Sequence, residues 1–228
     1  MLHYLEEELE QLRTKIIKMG SLVEEQIEFS FRALFEGNLE LAEIVKSRDD
    51  EVDKYDIKID KHCQRIFALT QPVANDLRLI MTALMINSDL ERMGDIAVNI
   101  SERAEALVNY ADLLKETRVD EIAFKVQKFI KMSIDSFVNG DANLAKDIIK
   151  ADADIDKLDS LIFDLITDKM KNDKELIIPG MHILTLVRNI ERLADHATNI
   201  AEDVIFMIDA KIIKHSKNPD NLENKDKS

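Results

Sequence analysis

Apolar side chains recur along this chain at steps of three and four residues. Ile183, Leu186, Val187, Ile190, Leu193, Ala194, Ala197, Ile200, Ala201, Val204 and Ile208 form the clearest series. The step matches the 3.6-residue turn, so these positions line one stripe of an α-helix. Elsewhere the rhythm breaks only where a helix should stop. Glu36-Gly37-Asn38 and Asn139-Gly140-Asp141 each offer a glycine for a helix end and an Asn or Asp to cap the next helix. Pro72 and Pro179 sit near two other boundaries, where proline suits a first turn. Six helices are predicted, over roughly 3–35, 39–70, 74–110, 118–138, 141–171 and 180–214, with a polar connector at 112–120. Gly20 and Gly94 fall inside predicted helices, each at a cost of up to ~1 kcal/mol relative to alanine. Phe31, Phe67, Phe124 and Phe163 are expected in the core. Residues 215–228 lack apolar periodicity and read as a disordered tail.

The two halves repeat. Gly37 maps onto Gly140 at an offset of 103, which also carries Asp49 onto Asp152 and Asp53 onto Asp156. Later in each half the offset is 100, and DLERMGDIAVNISE (89–102) returns as NIERLADHATNIAE (189–202). Self-similarity at so long a period indicates structural duplication. The expected fold is all-α: two tandem three-helix bundles with short loops, over 1–111 and 112–214, followed by the 215–228 tail.

Composition supports helices and narrows the partners. There are 5 Gly and 3 Pro in 228 residues, few breakers for so long a chain. The net charge of −14 argues against nucleic acid, whose phosphates an acidic surface repels. Cys63 is the single cysteine, so neither a disulfide framework nor a thiolate metal site is expected; it reads as a small core residue beside Ile66. The N-terminal MLHYLEEELEQL lacks the basic and apolar regions of a signal peptide, and no apolar run approaches the ~20 residues of a membrane span. A cytoplasmic setting is expected.

The acids carry the candidate chemistry. Asp49/Asp53, Glu91/Asp95, Asp152/Asp156 and Glu191/Asp195 each stand four residues apart, on one face of a helix. Three similar pairs, Asp56/Asp60, Glu116/Asp120 and Asp164/Asp168, do not survive the repeat as pairs and read as solvated faces. In a hairpin that turns at Pro72, the 49/53 and 91/95 pairs lie equidistant from the turn and so level with each other. The second half gives the same arrangement about residues 172–174. Four carboxylates per bundle are enough for a hard cation, with water completing the shell. Spacing alone admits two readings. One is a cation platform; the other is an ordinary charged face, on which Arg92 and Arg192 screen the acids.

The repeated Glu-Arg-x-x-Asp-x-x-x-Asn-Ile-x-Glu signature resembles that of the PhoU family. RDDEVD (48–53), ADADID (151–156) and PVANDLR (72–78) fit the same pattern, which covers roughly residues 1–210. The resemblance implies two three-helix bundles about a pseudo-twofold axis. It also implies surface metal clusters on Asp49, Asp53, Glu91, Asp95, Asp152, Asp156, Glu191 and Asp195, with iron, zinc, magnesium or manganese as the ion. By the same likeness the expected role is non-catalytic: regulation of phosphate uptake and of the phosphate-starvation response. The partners would be the ATPase subunit of a Pst-type phosphate transporter and a sensor histidine kinase. By the same likeness such proteins are typically cytoplasmic and often homodimers, reaching the membrane only through their partners. The chain departs from the pattern in its second half, where Leu176-Ile177-Ile178 replaces Asp76-Leu77-Arg78, Ala194 replaces Gly94 and His196 replaces Ile96.

Two rival readings differ in kind. A metal-free helical scaffold would use the same acids to bind partners. A ferritin-like di-metal enzyme would need Glu-x-x-His facing a bundle interior, and none of His3, His62, His182, His196 or His215 follows a Glu at that spacing.

Overall fold

Gly37 and Gly140 end the first long helix of their halves by adopting the left-handed conformation, with φ of 66° and 62°. The residue after each caps the next helix. Asn38 Oδ1 accepts from the backbone N–H of Glu40 and Leu41, and Asp141 Oδ1 from Asn143 and Leu144. Each cap contributes about 1 kcal/mol. Identical punctuation thus builds the same helix–turn–helix twice. In this computed structural model, which describes residues 2–213, the first half comprises α1 (Leu2–Glu36), α2 (Leu39–Leu69) and α3 (Asn75–Leu107). The second comprises α5 (Val119–Asn139), α6 (Ala142–Asn172) and α7 (Ile177–Asp209). The described residues contain no strand.

The connector differs from expectation. Residues 108–110 form a 3-10 turn and α4 (Ala111–Glu116) follows it, anchored by the buried Leu113 and Leu114. Two adjacent leucines are too short a signal for periodicity to register. Arg118, left-handed at φ 63°, then redirects the chain into α5. The last helix starts at Ile177, three residues before the predicted start, because Pro179 is tolerated in a first turn whose N–H groups have no intrahelical partner. It ends at Asp209, where the left-handed Ala210 stops it before the predicted residue 214. The tail expected at 215–228 lies outside the described residues.

α3 and α7 run antiparallel through the middle of the molecule. Arg78 Nε donates to Met207 O at 3.4 Å, and Thr82 Oγ1 to Asp203 O at 3.3 Å. Farther along the same crossing, His196 Nδ1 and Asp89 Oδ1 are 2.7 Å apart. α2 flanks α3 and α6 flanks α7, so the four helices form a layer in the order α2–α3–α7–α6. α1 and α5 cover one side of it and touch each other. Gly20 permits that touch, since a Cβ there would stand 3.2 Å from Ile134 Cγ2. One continuous core cluster joins both bundles, and a small cluster of Ala33, Ala42 and Ala104 lies apart from it in the first. Burial along 91–100 repeats position for position along 191–200, which is the duplication expressed as packing.

Of the four phenylalanines expected in the core, only Phe31 is buried. Phe67, Phe124 and Phe163 are exposed, Phe124 at 70%. Cys63 is fully buried as expected, and burial pushes its thiol up to about 12, out of reach of thiolate chemistry at neutral pH.

The two turn glycines should differ in their tolerance of substitution. A left-handed φ costs an L-residue roughly 1–2 kcal/mol at either position. At Gly37 the added Cβ would also meet Val108 Cγ2 at 3.3 Å, whereas at Gly140 nothing lies within 4 Å. Urea unfolding should therefore place Gly37→Ala below Gly140→Ala, with both below the parent.

Candidate functional site

Asp49 and Asp53 on α2 face Glu91 and Asp95 on α3. The hairpin about Pro72 makes the two rungs level, so that Asp49 lies in the field of Asp95 and Glu91 in the field of Asp53. In the second half, Asp156 on α6 acts on both Glu191 and Asp195 on α7. Thr198 Oγ1 on α7 donates to Asp152 Oδ1 on α6 at 3.3 Å. The eight carboxylates thus gather into two sets of four, one per bundle. Glu91, Glu191, Asp49 and Asp152 are half-buried at the helix seams, while Asp53, Asp95, Asp156 and Asp195 are exposed. α1 and α5 fill the seams from one side, so the exposed acids open on the other.

Burial and mutual repulsion set the electrostatics. Burial, then Asp53, Asp95 and Asp50, pushes the Asp49 carboxyl above the usual aspartate range. Burial and Asp95 do the same to Glu91, followed by Asp56 and Asp53, with Arg92 opposing. Glu191 is raised by burial, Asp195, Asp159 and Asp156, against Arg188. Asp195 is raised by burial and by Asp156, against the pull of His196 and Arg192. A group held above its ordinary pKa is short of positive charge, which a cation would supply.

Both acidic faces extend further than the sequence reading allowed. Asp56 is half-buried, with its pKa raised by burial and by Asp60, and Asn87 Nδ2 binds Asp56 Oδ1 at 2.6 Å and Asp60 Oδ1 at 3.2 Å. The pair read as a solvated face therefore continues the first-half site. Asp159 does the same in the second half, raised by burial and Asp156. The repeat carried this signal, because the offset of 103 maps Asp56 onto Asp159; only Asp60 loses its acid, to Phe163.

Behind the first face the two halves diverge. Gln26 is buried, and its Oε1 has no hydrogen-bond partner among the described residues; the same holds for Asn87 Oδ1. A Cβ on Gly94 would stand 3.3 Å from Gln26 Oε1 and 3.8 Å from Asp49 Oδ1. The second half has Phe129 and Ala194 at the matching positions, so it lacks this amide oxygen. His196, the other departure, turns away from the acids. It is buried against α3, and Asp89 Oδ1 also accepts from Asn199 Nδ2 at 3.3 Å. Its role is to join the bundles.

Carboxylate and amide oxygens are the donors that hard cations take. Among the described residues, however, no three His, Cys, Asp or Glu side chains close into a ready-made ligand set. The chemistry of the donors fits a metal ion, while the like-charged side chains stand open. No helix of the described residues is long and apolar enough to cross a membrane.

Comparison with known proteins bears on both halves. The PhoU domain profile matches residues 16–104 and again 119–204. A Phosphate-specific transport system accessory protein PhoU homolog of Aquifex aeolicus is 39% identical over 208 residues, covering 91% of this chain and 94% of that protein. Its namesake in Pseudomonas aeruginosa is 34% identical over 209 residues, covering 91% and 86%. The crystal structure of PhoU from Pseudomonas aeruginosa superposes with a TM-score of 0.85 at 34% identity, covering 90% of this chain and 99% of that one. The phosphate transport system regulatory protein PhoU from Streptococcus pneumoniae superposes at 0.84 with 26% identity, covering 92% and 99%. With the family's domain present in both bundles and relatives this similar along most of its length, the chain belongs to the PhoU family.

Proposed function

We propose that this protein regulates phosphate uptake and phosphate-starvation signalling as a cytoplasmic, non-catalytic adaptor. Its partners are the ATPase subunit of a phosphate-specific transporter and a sensor histidine kinase, and it works as a homodimer. The carrying observation is that each matched PhoU domain brings one complete set of four carboxylates to an open face. Relatives named as accessories of the phosphate-specific transport system support the transporter side. On this reading Asp49, Asp53, Glu91 and Asp95 hold metal ions on the first face, and Asp152, Asp156, Glu191 and Asp195 on the second. The cation supplies positive charge to a surface that otherwise repels itself. The extra oxygens of Gln26 and Asn87 favour tighter binding on the first face.

The open carboxylates favour a second reading, in which the faces bind basic partner surfaces directly, without metal. Both versions answer to one genetic experiment. Deleting the gene should switch on phosphate-starvation transcripts in phosphate-replete cells. Transcripts that stay repressed in the deletion strain would defeat the regulatory assignment. Restoring the gene with all eight acids intact, or with Glu91→Ala plus Asp95→Ala, then shows whether the first face contributes.

A further inference from the structure

The seam between α1 and α2 carries a second polar site, of opposite charge. Glu8 and His62 are buried there, and His62 Nε2 lies 2.8 Å from Glu8 Oε2. Arg65 donates to Glu8 Oε1 at 3.0 Å and to Tyr4 Oη at 3.1 Å. A ring nitrogen facing a carboxylate carries the hydrogen, which leaves His62 Nδ1 as an acceptor. Lys15 Nζ fills that position at 2.6 Å. Burial lowers the His62 pKa, in keeping with an uncharged ring. Lys15 is therefore fixed in place by a neutral partner and makes no ion pair among the described residues.

Lys15 borders a cleft of about 410 Å³ whose other lining includes Gln11, Thr14, Lys18, Tyr55 and Lys58. Among the described residues Lys18 and Lys58 make no ion pair either; Lys58 Nζ rests 5.0 Å from the centre of the Tyr55 ring. In a chain whose acids outnumber its bases 45 to 31, three lysines sharing a cleft with no carboxylate partner need an explanation. Burial lowers the Lys15 pKa; Glu8 opposes this, and Arg65 and Lys58 add to the lowering. Glu10 also lines the cleft, leaving three positive charges against one negative.

We propose that this cleft binds a phosphate-bearing anion, with Lys15, Lys18 and Lys58 as the charge partners and Gln11 and the Tyr55 hydroxyl as neutral donors. Several ammonium groups around one space suit a tetrahedral, multiply charged oxyanion better than a single carboxylate. The protein's overall negative charge does not forbid it. At physiological ionic strength, charges beyond about 8 Å are largely screened, so the nearby lysines dominate. The proposal does not depend on metal at the acidic faces.

The test is calorimetry on the full chain in chelator at about 0.15 M salt, where the distant acids are screened. Three probes separate the sources: inorganic phosphate, a nucleoside triphosphate, and vesicles containing phosphatidylglycerol. Binding is expected in at least one arm. Lys18→Ala plus Lys58→Ala, two exposed positions, should weaken it about tenfold or more, given the strength of charge-assisted hydrogen bonds. Lys15→Met should weaken it independently, while Lys157→Ala, an exposed lysine on α6, should leave it unchanged. Circular dichroism confirms that each variant is folded. No binding in any arm, or binding by the double lysine variant equal to that of the parent, overturns the proposal.

Discussion

Removing the carboxyls of Glu91 and Asp95 together is expected to strip metal from the first face and to make the metal-free protein more stable. Both effects come from one cause. Two acids one turn apart already cost about 0.2–0.5 kcal/mol, and here a second rung on α2 stands level with the first. Asp49, Glu91, Glu191 and Asp195 all have folded pKa values raised by burial and by neighbouring acids. A carboxyl whose folded pKa exceeds its unfolded value weakens the fold above that pKa, and the penalty is relieved as pH falls through it. The window therefore begins above the ordinary values of 3.8 for Asp and 4.5 for Glu. Glu8 works in the opposite direction. Burial raises its pKa, but His62, Arg65 and Tyr4 together lower it below the ordinary 4.5, so its contribution is lost on acidification below that value.

Chelator-treated parent protein should accordingly gain melting temperature as pH falls from neutrality through the raised carboxyl pKa values, then lose it below the ordinary Glu value of 4.5 as Glu8 is protonated. Added divalent cation should reverse the first trend, because at neutral pH it replaces the missing positive charge and under acid it competes with protons. The double variant should show less of both responses. Metal analysis after purification without chelator, combined with melts with and without chelator, measures all of this. Equal metal in parent and variant, with equal melting in chelator, would remove the first face as a cation site.

Leu193→Ala is expected to cause a large loss of stability. Leu193 is fully buried on α7, and Met93, its counterpart at the offset of 100, is fully buried on α3. A leucine truncated to alanine in such a site costs about 2–5 kcal/mol, from lost transfer energy and the cavity left behind. For a chain of this size that lowers the melting temperature by roughly 4–20 °C. Phe124→Ala supplies the contrast. Its ring is mostly exposed, so the change should stay within about 0.5 kcal/mol. Equal losses in the two variants would contradict the packing described for α5 and α7.

Much of the architecture was legible because helices and hairpins are local. The three- and four-residue step marked each long helix, and Gly37-Asn38 and Gly140-Asp141 marked the turns. Equal distances from Pro72 placed Asp49 and Asp53 beside Glu91 and Asp95. What could not be read depended on which neighbour covers which face. Phe67, Phe124 and Phe163 are apolar on paper, but no facing helix buries them. Asp56 and Asp60 read as solvated because the pair has no counterpart in the other half, while their partner, Asn87, comes from another helix. The Asp89–His196 contact joins residues 107 positions apart, and nothing local announces it. Gly94 looked like a helix defect until Gln26 and Val52 were found packed where its side chain would be.

The pseudo-twofold crossing of α3 and α7 also decides how the acidic faces meet other molecules. Both faces open on the same side of the four-helix layer, so one chain offers a two-point footprint. A partner that itself has twofold symmetry can grip both points at once. Its second contact is then intramolecular, at an effective concentration that can approach the millimolar range. Two individually weak patches would in that case act as one bivalent clamp, and damage to either would cost avidity out of proportion to its own strength.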